Sequence, residues 1–229
     1  MAAQVGAGCS VDELFDRQVD VTTPSIELTP GLSVTDLWEL MVPIYTDSAD
    51  EDERRRRLGR LALDAHTVDE AVRRRVVAAR LEGVDWAGGR VAVVACEATT
   101  GQWRVFDGTS RVDVVDAVAA SCAVPGVWPP VTIDGSRYID GGIWSLTNAD
   151  LATGCDLVVV LAPLSDRTMH TELAGLEERV QSVVLTPDEA SIAAFGSDVL
   201  DPAVREPSAR AGMAQGLREA DRIAGVLNG

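Results

Sequence analysis

The chain has 229 residues, of which 46% are apolar and 24% charged, and its formal net charge is −16. The length and composition fit one soluble globular domain over residues 1–229, and no apolar run is long enough to predict a transmembrane segment. The acidic balance argues against nucleic acid as a partner and against electrostatic adsorption to anionic lipid, because both need basic patches.

The first half of the chain is predicted to be helical. Ser10-Val11-Asp12-Glu13 is a capping box that opens a helix to about Gln18. Three more helices are predicted at 33–41, at 53–63 after an acidic loop, and at 67–81. In the last of these, Val72, Val76 and Val77 form the apolar stripe, and the arginines are assigned to outer positions.

The second half mixes strands with helices. Buried strands are predicted at 90–96, 156–162 and 182–185, and a partner strand at 103–106. Asp134-Gly135 indicates a hairpin between two short strands. Ser110-x-x-Asp113 is interpreted as the cap of a helix that runs to Ser121, and further helices are predicted at 170–180, 187–195 and 203–227. This alternation predicts an α/β layered fold.

The cysteines and histidines do not suggest a metal site. The four cysteines form no C-x-x-C pair and fit the reduced thiols of a cytoplasmic protein. With only two histidines, no histidine-rich metal centre is expected, and we expect no metal and no cofactor.

Asp140-Gly141-Gly142 is the strongest candidate for chemistry. A short carboxylate before two glycines suits a base held rigidly at a pocket mouth, although aspartate before glycine also occurs in turns that merely stabilise themselves. The sequence contains no G-x-S-x-G turn to present a nucleophilic serine. Ser121-Cys122 is not interpreted as a nucleophile, because no such turn presents it.

Several segments resemble the patatin-like phospholipase family of lipid acyl hydrolases. The segment ASCAVPGVWPPV, at 120–131, resembles a family block with an aromatic residue at the place of Trp128. The segment SRYIDGGIWSLTNADLA resembles the family's strand, D-G-G and asparagine segment. VACEATTGQWRVF resembles its preceding strand and turn, and LDPAVREPSARAGMAQG resembles a C-terminal helix of bacterial members.

The resemblance implies a layered sandwich whose mostly parallel central sheet is flanked by helices. It also implies a Ser–Asp dyad that cleaves carboxylic esters of lipids, with Asp140 as the base and Gly141 and Gly142 as motif glycines. Residues 2–8 resemble the helix that follows the family's serine, so we expect the nucleophile and the first strands to lie upstream of Met1 and this chain alone to be inactive.

The resemblance further suggests a substrate pocket near Pro125, Gly126, Trp128 and Asn148. A plain turn with a core tryptophan explains the first three residues nearly as well. The local sequence favours Asn148 as the cap of the helix that leads into Leu151, with a direct substrate role as the alternative. The expected partner is a lipid or ester substrate, with transient contact to a membrane surface possible and the oligomeric state open. The alternative function is a catalytically inactive remnant that binds lipid or a protein. Because the first strands are expected to be missing, we also expect self-association through an exposed sheet edge.

Overall fold

A computed structural model describes residues 1–20, 22, 27–86, 91–152, 154–164, 167–177 and 180–227. Within these ranges the α-helices are α1 (Ala2–Gly6), α2 (Val11–Val19), α3 (Val34–Asp47), α4 (Glu51–Asp64), α5 (Glu70–Arg80), α6 (Val114–Ser121), α7 (Arg167–Glu177), α8 (Glu189–Phe195) and α9 (Arg205–Leu227). The strands are β1 (Val93–Glu97), β2 (Trp103–Phe106), β3 (Val131–Ile133), β4 (Ser136–Asp140), β5 (Leu157–Leu161) and β6 (Gln181–Leu185). Short 3-10 helices cover Gly141–Ile143, Ala149–Ala152 and Pro202–Val204.

The helix starts follow from local capping. Ser10 accepts a hydrogen bond from the Glu13 backbone N–H at the start of α2, which confirms half of the predicted capping box. Ser33 and Asp36 form a reciprocal capping box at the start of α3. That helix continues beyond the predicted end at Met41 and contains Pro43 in its interior.

Two sheets are formed by the described strands. The larger has the order β2-β1-β4-β3, and each of its neighbouring pairs is antiparallel. The second is the parallel pair β5-β6. The expected α/β class is therefore confirmed, but the expected mostly parallel central sheet is wrong.

Short connections explain the antiparallel directions of two pairs, β1–β2 and β3–β4. The β1–β2 turn contains Gly101 at φ 75°, and the β3–β4 turn has Asp134 and Gly135 at φ 50° and 84°. Two consecutive positive φ values are typical of the tight hairpin turn that Asp-Gly predicts, and a two-residue loop can join only antiparallel strands. The parallel pair instead has α7 between its strands.

The described core consists of three apolar clusters. The largest packs α5 and α6 on one face of the four-stranded sheet around Phe106, Ala117 and Val77. A second, around Leu58, Cys96 and Ile139, packs α3 and α4 on the opposite face. The third lies between β5 and α7. Asp140 thus ends a strand that has helices on both faces.

Strand β5 is only half buried. Val158 and Val160 point into the core, whereas the side chains of Val159 and Leu161 are exposed. The prediction of a fully buried strand is wrong here, because only one face of β5 packs against described residues. Among the helices in the described ranges, none is both long and apolar enough to cross a membrane.

Candidate active site around Asp140

Asp140 is the last residue of β4, where the sheet holds its backbone. Its Cα pairs with that of Ala95 in β1. Its N–H donates to the Ala123 carbonyl 3.1 Å away, just beyond the end of α6. Strand pairing and this loop contact together fix the position of the carboxyl group.

The Asp140 carboxyl is only partly accessible and has an altered acidity. Its Oδ1 accepts a hydrogen bond from the Gly142 backbone N–H at 2.8 Å. Burial raises the pKa of Asp140 to about 6, and the hydrogen bond from Gly142 lowers this pKa by a smaller amount. A carboxyl with a pKa near 6 can hold and release a proton close to neutral pH, which suits a general base.

The two positions after Asp140 require glycine for different structural reasons. A Cβ on Gly141 would lie 2.3 Å from the Val94 carbonyl oxygen, so the backbone of β1 leaves no room for a side chain. A Cβ on Gly142 would instead approach the Asp140 Oδ1 at 3.0 Å. Gly141 therefore allows close packing on the sheet, and Gly142 leaves space beside the carboxyl group.

Asn148 holds the loop between Gly141 and Ser145, and the expectation that its side chain caps the following helix is wrong, because the amide points back toward the preceding carbonyls. Its side-chain amide donates to the Ser145 carbonyl at 2.8 Å and to the Gly141 carbonyl at 3.5 Å. Its backbone has φ 49°, a left-handed conformation that asparagine tolerates better than most residues. These contacts run back toward Asp140 and shape the loop beside the carboxyl group.

The Pro125–Trp128 loop packs beside Asp140, but its residues face different neighbours. Pro125 is fully buried. Gly126 is buried at φ 83° and faces leucines of α3 and the segment before it. The Trp128 ring lies against the guanidinium of Arg73, whose Cζ is 4.0 Å from the ring centroid.

A cavity of about 480 Å³ lies between α1, α2, α5 and α6, and Asp140 itself is not among the residues that line it. Cys122 lines it and interacts electrostatically with the Asp140 carboxyl. The Cys122 side chain is exposed to the cavity, but the protein atoms packed around its thiol desolvate it, and this desolvation, followed by the charge of Asp140, raises the pKa of the thiol. A raised pKa disfavours the reactive thiolate.

The predicted pocket residues are not the residues that line this cavity. Pro125, Gly126 and Asn148 are not in its wall, and Trp128 reaches it only through Arg73. Sequence reasoning missed all four arginines of the wall, Arg17, Arg73, Arg80 and Arg205.

A signal for Arg73 was present in the sequence. It stands four residues before Val77, which places both on one face of α5, and both are buried. The assignment of every arginine of this helix to an outer position is therefore wrong for Arg73.

The comparison with protein families gives one match. The family model described as patatin-like phospholipase matches residues 10–153. The matched range is more than half of the chain, and it runs from α2 through the sheet to Asp140 and Asn148.

Proposed function

Because the chain belongs to the patatin-like phospholipase family, a family of lipid acyl hydrolases, we propose that it takes part in the hydrolysis of carboxylic esters of lipids. In this proposal Asp140 is the base of a Ser–Asp dyad. The observation that carries this proposal is the partly buried Asp140 carboxyl, fixed at a strand end with a raised pKa and an electrostatic interaction with Cys122 of the cavity wall.

In the proposed reaction, Asp140 accepts the proton of a serine hydroxyl as the serine oxygen attacks the ester carbonyl. The proton then passes to the leaving alcohol, and an acyl-serine remains. Asp140 next takes a proton from water as the water oxygen attacks the acyl group, and passes that proton to the serine oxygen as the acyl–oxygen bond breaks and the carboxylic acid leaves. One carboxyl group thus acts first as base and then as acid in each half of the cycle.

The serine of this dyad is the part that these 229 residues do not present in a G-x-S-x-G turn. We propose that a segment outside them supplies it. The chain as given is then nearly inactive, since loss of a serine nucleophile costs on the order of a millionfold in kcat.

The test compares the chain with a version extended upstream in the same reading frame, using short-chain p-nitrophenyl esters. We expect hydrolysis only in the extended protein, and a loss of about 10²–10⁴-fold in Asp140→Asn. Asparagine keeps an acceptor for the Gly142 N–H, so the loop geometry is retained. Because the base must be ionised, kcat/KM of the extended protein is expected to rise with pH and to reach a plateau above about pH 6, the pKa of Asp140.

The alternative, an inactive remnant that binds lipid or a protein, makes a different prediction. It requires an in-frame stop upstream, or an extended protein whose hydrolysis does not change in Asp140→Asn. Either result would remove the dyad proposal. Contact with a membrane surface stays a prediction.

A further inference from the structure

The cavity lined by Cys122 is rich in positive charge, although the whole protein is strongly acidic. Its charged wall residues are four arginines and two carboxylates: Arg17, Arg73, Arg80, Arg205, Asp20 and Glu27. The chain as a whole carries a formal charge of −16. A local excess of arginine in such a protein favours an anionic ligand in this cavity.

Arg73 is the most unusual of these arginines, because it is buried without a full set of partners. Only 6% of its surface is exposed. Its Nη1 makes no hydrogen bond within the described part of the chain. The Glu27 Oε2 atom lies 3.9 Å from Nη1, an ion pair beyond hydrogen-bonding distance.

Glu27 does not neutralise Arg73 alone, because it is shared. Its Oε1 accepts a hydrogen bond from Nε of Arg80, so one carboxylate faces two guanidinium groups. Burial, together with the charge of Arg80, lowers the pKa of Arg73. An unpaired N–H of a buried cation is costly, and an added anion would satisfy it.

One flat face of the Arg73 guanidinium lies against Trp128, and the Nη1 atom at its edge has no hydrogen bond within the described residues and can meet a ligand. Stacking fixes the plane of the group, and the N–H fork of a fixed guanidinium matches the oxygens of phosphate. The same cavity reaches Cys122, which interacts with the Asp140 carboxyl. An anion at Arg73 could therefore be attached to an ester that lies near Asp140.

We propose that Arg73, assisted by Arg80, binds the phosphate group of the ligand and thereby selects phosphate-bearing esters over neutral ones. This assignment rests on the proposed function for the identity of the ester, but the anion site itself can be tested without turnover. In it, Trp128 orients Arg73, and Glu27 holds Arg80 beside it.

The experiment is calorimetric titration of the full chain with three probes at constant ionic strength. These are dihexanoyl phosphatidic acid, dihexanoylglycerol with the same acyl chains, and inorganic phosphate, each below its aggregation concentration. We expect the phosphate-bearing lipid to bind about 10- to 100-fold more tightly than the neutral one, as expected for a charge-assisted hydrogen bond at a buried site.

The variant Arg73→Gln should abolish this preference, and Arg80→Gln should reduce it. The matched control is Arg75→Gln, which removes an exposed arginine from the same helix and should leave the preference unchanged. A thermal melt of each variant identifies misfolding, and the milder Arg80 variant keeps the test valid if the Arg73 variant does not fold.

Equal affinity for inorganic phosphate and for phosphatidic acid would support the anion site but would identify free phosphate, rather than a lipid phosphate, as its ligand. No preference in the native chain, or equal effects of the Arg73 and Arg75 variants, would overturn the proposal. The two proposals can fail separately. A preference that depends on Arg73 in a protein whose hydrolysis ignores Asp140→Asn removes only the dyad, and the reverse pattern removes only the anion site.

Discussion

The protonation state of the Asp140 carboxyl group affects the free energy of unfolding as well as the proposed chemistry. Burial raises its pKa to about 6 in the folded chain, from an ordinary value of 3.8. The folded state therefore binds the proton more tightly than the unfolded state does. The resulting stabilisation is present below about pH 4 and is lost as the pH rises through about 6.

This shift predicts that Asp140→Asn stabilises the chain at neutral pH. Asparagine cannot ionise, so the variant avoids the cost of a buried carboxylate while keeping an acceptor for the Gly142 N–H. We expect a gain of about 2 kcal/mol in the free energy of unfolding at pH 7.5 and little gain at pH 4. Urea titrations at both values measure it, with the exposed Asp134→Asn as control. A gain that is the same at both pH values would contradict the raised pKa.

At the scale of elements, the contact between the D-G-G turn and β1 is the tightest constraint near the site. A Cβ at Gly141 would lie 2.3 Å from the Val94 carbonyl oxygen and 2.8 Å from its carbon. The Val94 backbone cannot move away from such a Cβ unless the whole of β1 moves, and β1 is paired on both sides, by β2 and by β4. The position of the D-G-G turn is therefore fixed by the position of β1 in the sheet.

Gly141→Ala is expected to cost about 1–3 kcal/mol in the free energy of unfolding, because the added methyl group forces these strands apart. Gly142→Ala is the matched control, since its Cβ would meet the Asp140 Oδ1 at 3.0 Å and little else. We expect it to cost less stability and instead to move the carboxyl group. Chemical denaturation compares the two, and equal losses would contradict this division of roles.

The elements themselves were largely predictable, but their directions and faces were not. The Trp103–Phe106 strand and the Asp134-Gly135 turn were predicted from local pattern, and the structure confirms both. Whether neighbouring strands run parallel depends on contacts between distant segments, which periodicity does not report. The same limit applies to Arg73, because its residue type favours solvent whereas its position on α5 places it inside.

The candidate site was predictable only in part for a related reason. The glycine spacing pointed to Asp140, but the cavity wall comes from helices that are far from it in sequence. The four residues expected at a substrate pocket, Pro125, Gly126, Trp128 and Asn148, do not line this cavity, and their contact with a substrate stays a prediction.

At the scale of the whole molecule, the parallel pair β5-β6 leaves apolar surface uncovered within the described ranges. Leu161 is 72% exposed and Val159 is 39% exposed on the same face of β5. Exposed apolar side chains on one face of a sheet favour packing against another copy of the chain. The predicted self-association through a sheet edge stays a prediction, and this exposed face of β5 is a second surface that favours association.

We therefore expect sedimentation velocity to show association that increases with concentration and decreases in Leu161→Arg. Leu217→Arg is the matched control, because Leu217 is also 72% exposed but lies on α9. Both changes add one positive charge, so a general charge effect would alter both equally. A native chain that stays monomeric at every concentration would contradict the prediction.

Three residues connect the loop after Asp140 to the sheet and to α4. The Trp144 ring stacks on Trp103 of β2, with centroids 6.0 Å apart, and the Arg55 Cζ lies 4.0 Å from the Trp144 centroid. Indole emission responds to nearby cations and to neighbouring rings. The chain thus has a built-in optical reporter four residues from Asp140, and replacing the other three tryptophans by phenylalanine would let loop motion be followed without any attached dye.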